Sequence, residues 1–237
     1  HTLLIGTVGS LTINPSLYRR LNYDILRDFV PISQVSSGQY VVVMHMSLPV
    51  KTLRDLIALA RSKPGELNYG SAGAGNATHL AGELFRAMAG VNIVHVPYKG
   101  SGPALIDLVG GQMQFMFSNL TAALPHIKSA KLRALAVTGG KRTPIASDLP
   151  TMAESGLKGY AVESWFGVLA PAGTPPDIVT RLNTETAIAM RAPEMRERLA
   201  AEGADPLSGS AAELTALLKA EIATWARVVK LAGITPE

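Results

Sequence analysis

Apolar positions along this chain fall into short strand-length runs that alternate with stretches of helical period. That is the pattern of an α/β fold with largely parallel sheets. Residues 3–8 read as a first strand, followed by strands at 30–35 and 40–44; the latter is rich in β-branched residues and expected to be buried on both faces. Thr52 opens a helix with Asp55 three residues on, the spacing of a capping box, and Leu53, Leu56, Ile57 and Ala60 form its apolar stripe. Further strands are predicted at 67–71, 91–96, 113–117, 132–137 and 162–170. Helices are predicted after the glycine-rich segment at 70–75, with Ala81, Leu84, Phe85 and Met88 on one face, and from Gly102-Pro103 to Gly110-Gly111. The 144–159 stretch reads as loop with a helical turn near Met152. Thr174 is predicted to cap a helix that has Pro175 at its first position, and Pro193 to open another. Ser210 and Glu213 form a second capping box, ahead of Leu214, Leu217, Leu218, Ile222, Trp225 and Val229 at helical spacing.

Composition narrows the function classes. With 237 residues, 47% of them hydrophobic, the chain can bury a substantial core as one large domain or two lobes. No apolar run approaches the roughly 18 residues needed to cross a bilayer. The 22 Lys+Arg against 18 Asp+Glu are scattered without interleaved aromatics, which argues against nucleic-acid binding and mildly favours anionic ligands. The absence of cysteine excludes disulfides, thiol catalysis and Cys-based zinc sites, and suits an oxidising compartment. No secretory signal is present; His1-Thr-Leu-Leu-Ile-Gly6 already reads as strand running into a turn.

The chemistry concentrates in Asn68-Tyr-Gly-Ser-Ala-Gly-Ala-Gly-Asn-Ala-Thr-His79, where a strand turns through glycines into a helix. Gly70, Gly73 and Gly75 let the backbone approach a ligand, Ser71, Asn76 and Thr78 supply side-chain donors, and Ala72 and Ala74 add backbone N–H groups. The helix N-terminus adds unpaired N–H groups and a positive dipole end, so the segment suits a carboxylate or phosphate. The competing reading is a turn that needs glycine only for geometry. The dinucleotide fingerprint fails at its third glycine and lacks a ribose-binding acid, and neither a P-loop nor a GxSxG elbow occurs. His79 reads as structural before ligand-binding; no histidine shares metal spacing with it, so no metal and no cofactor are expected. Val96-Pro-Tyr-Lys-Gly-Ser-Gly102 is a second strand-to-helix junction, where Tyr98 and Lys99 either face a cleft or are solvated. Ser118 and Asn119 end a strand, as do Thr7 and Ser10, and four polar strand ends point to a shared crevice. Trp165 reads as core or hinge packing ahead of ligand contact. No catalytic residue is assigned.

Together these junctions resemble the substrate-binding proteins of tripartite tricarboxylate transporters, the Bug family. The linked motifs are Asn14-Pro-Ser-Leu-Tyr18, Asp28-Phe-Val-Pro-Ile32, the 68–83 segment ending Thr78-His-Leu-Ala-Gly-Glu83, Val96-Pro-Tyr-Lys-Gly100, Asp107-Leu-Val-Gly-Gly-Gln112, Leu132-Arg-Ala-Leu-Ala-Val137, Leu149-Pro-Thr-Met-Ala-Glu154 and Trp165-Phe-Gly-Val-Leu-Ala-Pro-Ala-Gly-Thr-Pro175. The resemblance spans essentially the whole chain. It implies a periplasmic binding protein of type II-like architecture, with two α/β lobes closing around a central ligand cleft like a Venus flytrap. The lobes would comprise residues 1–36 with 161–237, and residues 37–160. It also implies a small organic carboxylate as ligand, gripped by two loops largely through backbone N–H groups, and transporter subunits or a sensor protein as partner. One gripping loop matches residues 71–78. The other belongs to a βαβ unit that precedes the first residue of this sequence, so the first lobe is expected to lack a strand and the chain to bind weakly alone. A ligand-sensing module and an α/β hydrolase are the alternatives; the hydrolase requires a serine and a base in contact.

Overall fold

The computed structural model describes residues 2–201 and 204–235. In chain order its elements are β1 (Leu4–Thr7), a π-helical turn (Gly9–Ile13), α1 (Asn14–Leu17), α2 (Ile25–Asp28), β2 (Phe29–His45), α3 (Leu53–Ser62), β3 (Asn68–Ser71) and α4 (Ala77–Ala89). There follow β4 (Val94–Pro97), α5 (Ser101–Val109), β5 (Phe115–Asn119), α6 (Leu120–Lys128), β6 (Leu132–Val137), a 3-10 turn (Pro144–Ala146) and β7 (Glu163–Pro171). The chain ends with α7 (Pro176–Arg191), α8 (Pro193–Ala201), β8 (Ala204–Pro206) and α9 (Ala211–Leu231). Two compact units result, residues 1–38 with 164–237, and residues 39–163.

In the first unit β1 runs antiparallel to β7, with Leu4 opposite Leu169 and Thr7 opposite Phe166. β8 runs antiparallel to β2, with Ser36 opposite Pro206 and Gly38 opposite Ala204. Ile32, Val168 and Ala170 form an apolar cluster covered by Val179 and Leu182 of α7. Gly6 sits where a Cβ would lie 2.6 Å from Leu11 Cγ, so the turn out of β1 closes tightly onto the residues after it. α9 is stapled at its start by the predicted capping box, with Ser210 and Glu213 each bonding the other's backbone. Its buried residues are Leu214, Leu218, Trp225, Val228 and Val229.

The second unit holds five strands. β6 and β5 flank the second half of β2, both antiparallel to it, and β5 passes the sheet on to β3 and β4, which run parallel to it and to each other. Val41, Val42, Val43 and Met44 of β2 are completely buried, as their composition predicts for a central strand. On one face Ala104, Leu105 and Leu108 of α5 and Leu120 and Ala123 of α6 pack on Val41, Val43 and Met116. α3 carries the expected Thr52–Asp55 capping box.

Several expectations need correction. The sheets are mixed: among the described residues β1·β7, β2·β5, β2·β6 and β2·β8 pair antiparallel, and β3·β4 and β3·β5 pair parallel. The two strands expected at 30–35 and 40–44 are one 17-residue strand, because β8 supplies ladder partners to Ser36, Ser37 and Gly38. α6 was not expected; Pro125 lies inside it, and burial of Leu120 and Ala123 offsets the missing N–H. Thr174 does not cap α7, since its hydroxyl donates to the Pro171 carbonyl and the helix starts at Pro176. The helical turn expected near Met152 is present over residues 152–156, where Ser155 N–H donates to the Thr151 carbonyl (3.0 Å), but a 3-10 turn at Pro144–Ala146 precedes it that was not expected. Met88, expected on the buried face of α4, is exposed.

Candidate functional site

In the second unit the parallel strands β4, β3 and β5 deliver their carboxyl ends to one edge of the sheet, so Tyr98, the 71–78 loop and Ser118-Asn119 gather there. The loop is tied to the next junction by backbone bonds, Tyr98 N–H to Ser71 O and Gly100 N–H to Ala72 O. Gly73 has φ +147° and a Cβ there would lie 3.2 Å from the Tyr98 carbonyl, while Gly75 has φ +72°. Glycine is required at both, at the first for conformation and space together.

Most polar atoms of the loop are engaged within it. Ala72 N–H donates to Thr78 Oγ1 (2.9 Å), Gly73 N–H to Ser71 Oγ (3.1 Å), and Thr78 N–H to Asn76 Oδ1 (3.0 Å), the N-cap of α4. Gly75 N–H donates to His79 Nδ1 (3.0 Å) and Asn76 N–H to the Gly73 carbonyl (3.2 Å). Ser71 and Thr78, expected as donors to a ligand, are buried and shape the loop instead. The N–H groups of Ala74, Ala77 and His79 have no protein acceptor among the described residues. Ala74 is exposed, and Ala77 and His79 sit in the first turn of α4, where the helix dipole adds to their field.

Behind the loop lies a buried polar network that sequence reasoning missed. His79 and His95 stack with ring centroids 3.8 Å apart, and Tyr69 lies 5.0 Å from His95. The Tyr69 hydroxyl donates to Glu83 Oε1 (2.7 Å), and the Arg86 guanidinium donates to Glu83 Oε2 (2.7 Å). Since His79 Nδ1 accepts from Gly75, the ring proton sits on Nε2, 3.9 Å from Glu83 Oε1. Burial lowers the His79 imidazole below its ordinary value against the opposing pull of Glu83, so the two meet as dipole and carboxylate rather than as an ion pair. Burial and the adjacent His79 hold His95 down to about 3. Burial first, then the Glu83 charge, push the Tyr69 phenol well above its usual range. The one legible trace of this network was the four-residue spacing of His79 and Glu83, which stacks them on one helix face.

Ser71 Oγ lies 2.7 Å from His95 Nε2, the serine–base contact that the hydrolase alternative requires. The chemistry does not follow from it. His95 titrates near 3 and is a weak base at neutral pH, no carboxylate of the described residues orients its other nitrogen, and Ser71 is buried with its hydroxyl shared by the Gly73 backbone.

The remaining predicted residues divide between the units. Ser118 is buried in the β2·β5 ladder and Asn119 is exposed at the start of α6. The Tyr98 hydroxyl is taken by Asp107 Oδ2 (2.9 Å), while Lys99 is exposed. Thr7 and Ser10 belong to the first unit, where they bond each other reciprocally through backbone and hydroxyl groups (Thr7 N–H to Ser10 Oγ 3.0 Å, Ser10 N–H to Thr7 Oγ1 3.3 Å). Trp165 is buried in that unit, its indole N–H donating to Glu221 Oε1 (2.9 Å), which places it in the core rather than at a ligand surface. No cluster of metal-ligating side chains occurs among the described residues, and no described helix is long and apolar enough to cross a membrane.

A glycine loop at the carboxyl ends of parallel strands, in a two-unit α/β chain, is the arrangement of a periplasmic-type solute-binding protein. The family model of the tripartite tricarboxylate transporter family receptor, TctC, matches residues 1–234, and the chain belongs to that family, whose members are receptors rather than enzymes. It is 37% identical over 234 residues to protein BugT of Bordetella pertussis, covering 98% of this chain and 72% of that protein. Among solved structures it is similar to Rpa4515 of R. palustris with adipate (43% identity, TM-score 0.84, 99% of this chain and 79% of that one). It is also similar to MatC of Rhodopseudomonas palustris with bound malate (31% identity, TM-score 0.79, 97% and 79%).

Proposed function

We propose that the 71–78 loop binds a carboxylate of a small organic di- or tricarboxylic acid, and that the chain captures this solute in the periplasm for a tripartite transporter. The observation that carries the reading is the loop itself. Its side chains are spent on fixing its shape, while the N–H groups of Ala74, Ala77 and His79 remain without a protein acceptor at the positive end of α4. Such a cradle reads an oxyanion by backbone geometry and leaves the rest of the ligand to other contacts. Asn119, exposed beside the loop at the end of β5, and the Asn76 side-chain amide are the polar groups best placed to extend the contact. The neighbours bound to adipate and malate, both dicarboxylates, support the ligand class. The lack of cysteine fits an oxidising compartment.

A thermal-shift screen of adipate, malate, citrate and neutral sugars tests the reading. A ligand at 100 times its Kd stabilises the folded state by about 2.7 kcal/mol, which at this size raises Tm by roughly 5–10 °C. The expected result is a shift with one or more of the acids. A screen in which only neutral sugars raise Tm overturns the proposal.

A further inference from the structure

The network behind the glycine loop has a construction that packing alone does not require. Within it, His79 is joined to the loop by one specific bond, from Gly75 N–H to Nδ1 at 3.0 Å. Its other nitrogen faces Glu83 at 3.9 Å, and Glu83 is itself fixed by the Tyr69 hydroxyl on β3 and by Arg86 one turn further along α4. His95 from β4 stacks on the ring and reaches Ser71 at the start of the loop. Both ends of the loop's first half, Ser71 and Gly75, are therefore bound to stacked imidazoles.

We propose that His79 is a positioning residue for the carboxylate site: Glu83 selects its Nε2–H tautomer, and the bare Nδ1 holds Gly75 so that the 74–77 backbone keeps its ligand-binding shape. The inference rests on the reading of the loop as the carboxylate site for its consequence in binding, but its geometry is measurable without any ligand. A protonated His79 has no lone pair at Nδ1, so acid breaks the bond to Gly75. The charged and titratable groups facing the ring are Glu83 and Arg86 on its own helix, His95 on β4 and Tyr69 on β3. Glu83 favours the protonated ring, and burial with Arg86 opposes it.

Two substitutions separate the acceptor from the bulk. In His79→Asn the side-chain oxygen occupies the place of Nδ1 and can still take the Gly75 N–H. In His79→Gln the polar atoms fall at the distance of Nε2, and Gly75 loses its acceptor. Nitrogen-15 NMR of the full chain should show an unprotonated Nδ1 and a protonated Nε2 at neutral pH, with the Gly75 amide moving in step with the His79 ring on acid titration. Amide exchange at Gly75 should be near wild type in His79→Asn and faster by about tenfold in His79→Gln, the effect of one net hydrogen bond. Adipate affinity, measured calorimetrically, should follow the same order. A proton on Nδ1 in the wild-type protein, a Gly75 amide indifferent to His79 titration, or equal exchange in both variants overturns the proposal. The wild-type measurements decide it even if His79→Gln does not fold. If adipate binds none of the proteins while tautomer and exchange behave as stated, the ligand assignment fails and the positioning role stands.

Discussion

Gly82 in the middle of α4 is a position where two ordinary rules oppose each other. Replacing a mid-helix glycine by alanine normally stabilises by about 1 kcal/mol, because the backbone loses less entropy on folding. Here the added Cβ would lie 2.6 Å from Tyr69 Cζ and 2.9 Å from its Cδ2. The ring has nowhere to go. Tyr69 is fully buried, stacked on Phe115 at 5.9 Å, edge-on to Phe117 at 6.1 Å, and held at its hydroxyl by Glu83. Overpacking of this kind costs about 1–3 kcal/mol, and the displacement it forces on the ring also gives up a charge-assisted hydrogen bond of about 1.5–3 kcal/mol, so the two costs add. The net expectation for Gly82→Ala is a loss of about 2–4 kcal/mol. With a urea m-value of about 3 kcal/mol/M, the midpoint of unfolding followed by circular dichroism should fall by about 1 M. Gly70→Ala is the internal comparison. Its Cβ meets Met113, whose flexible thioether yields where an aromatic ring does not, so its loss should be smaller. A Gly82→Ala protein as stable as wild type, or more so, refutes the packing argument around Tyr69.

Acid should weaken the fold before its carboxylates titrate. His95 is held down to about 3 against about 6.5 in the unfolded chain, so between those values the unfolded state binds the extra proton and stability falls with pH. For this half-buried ring the loss from pH 7 to pH 5 is about 1–2 kcal/mol, read as a lower urea midpoint; an unchanged midpoint contradicts the assignment. In the first unit Glu221 accepts from Thr12 Oγ1 (3.0 Å) and from the indoles of Trp165 (2.9 Å) and Trp225 (3.4 Å). Glu221→Ala leaves the two indole donors unpaired, while the Thr12 hydroxyl keeps the Val8 carbonyl (2.7 Å), and should destabilise by about 2–4 kcal/mol, with the emission of both tryptophans, the only two in the chain, changing together. Emission and stability like those of wild type would show that the carboxylate is not the hub of that unit.

What was legible in the sequence was what is decided locally. The two capping boxes, Thr52 with Asp55 and Ser210 with Glu213, depend on residues three apart and appear as read. The strand-loop-helix at 68–79 was equally plain, because glycine spacing and an N-cap asparagine are local chemistry. Features set by distant partners were not. β2 runs unbroken through Ser36-Ser37-Gly38 only because β8, more than 160 residues later, pairs with it. α6 was hidden by Pro125, whose cost is outweighed by a packing surface that no window of sequence displays. The site divides in the same way. Its loop could be named residue by residue, but the partners that hold it depend on the parallel register of β3 and β4, which sets Tyr69 beside His95. That register also brings Ser71 Oγ to His95 Nε2, whereas Thr78 braces the loop from within by accepting from Ala72 N–H.

The claim on which the account turns is that the glycine loop, through its backbone, is where a carboxylate binds. A nitrogen-15 NMR titration of the chain with adipate addresses it residue by residue. The account predicts saturable shifts that are largest at the amides of Ala74, Ala77 and His79. Saturable adipate binding that leaves those three amides unmoved would contradict it.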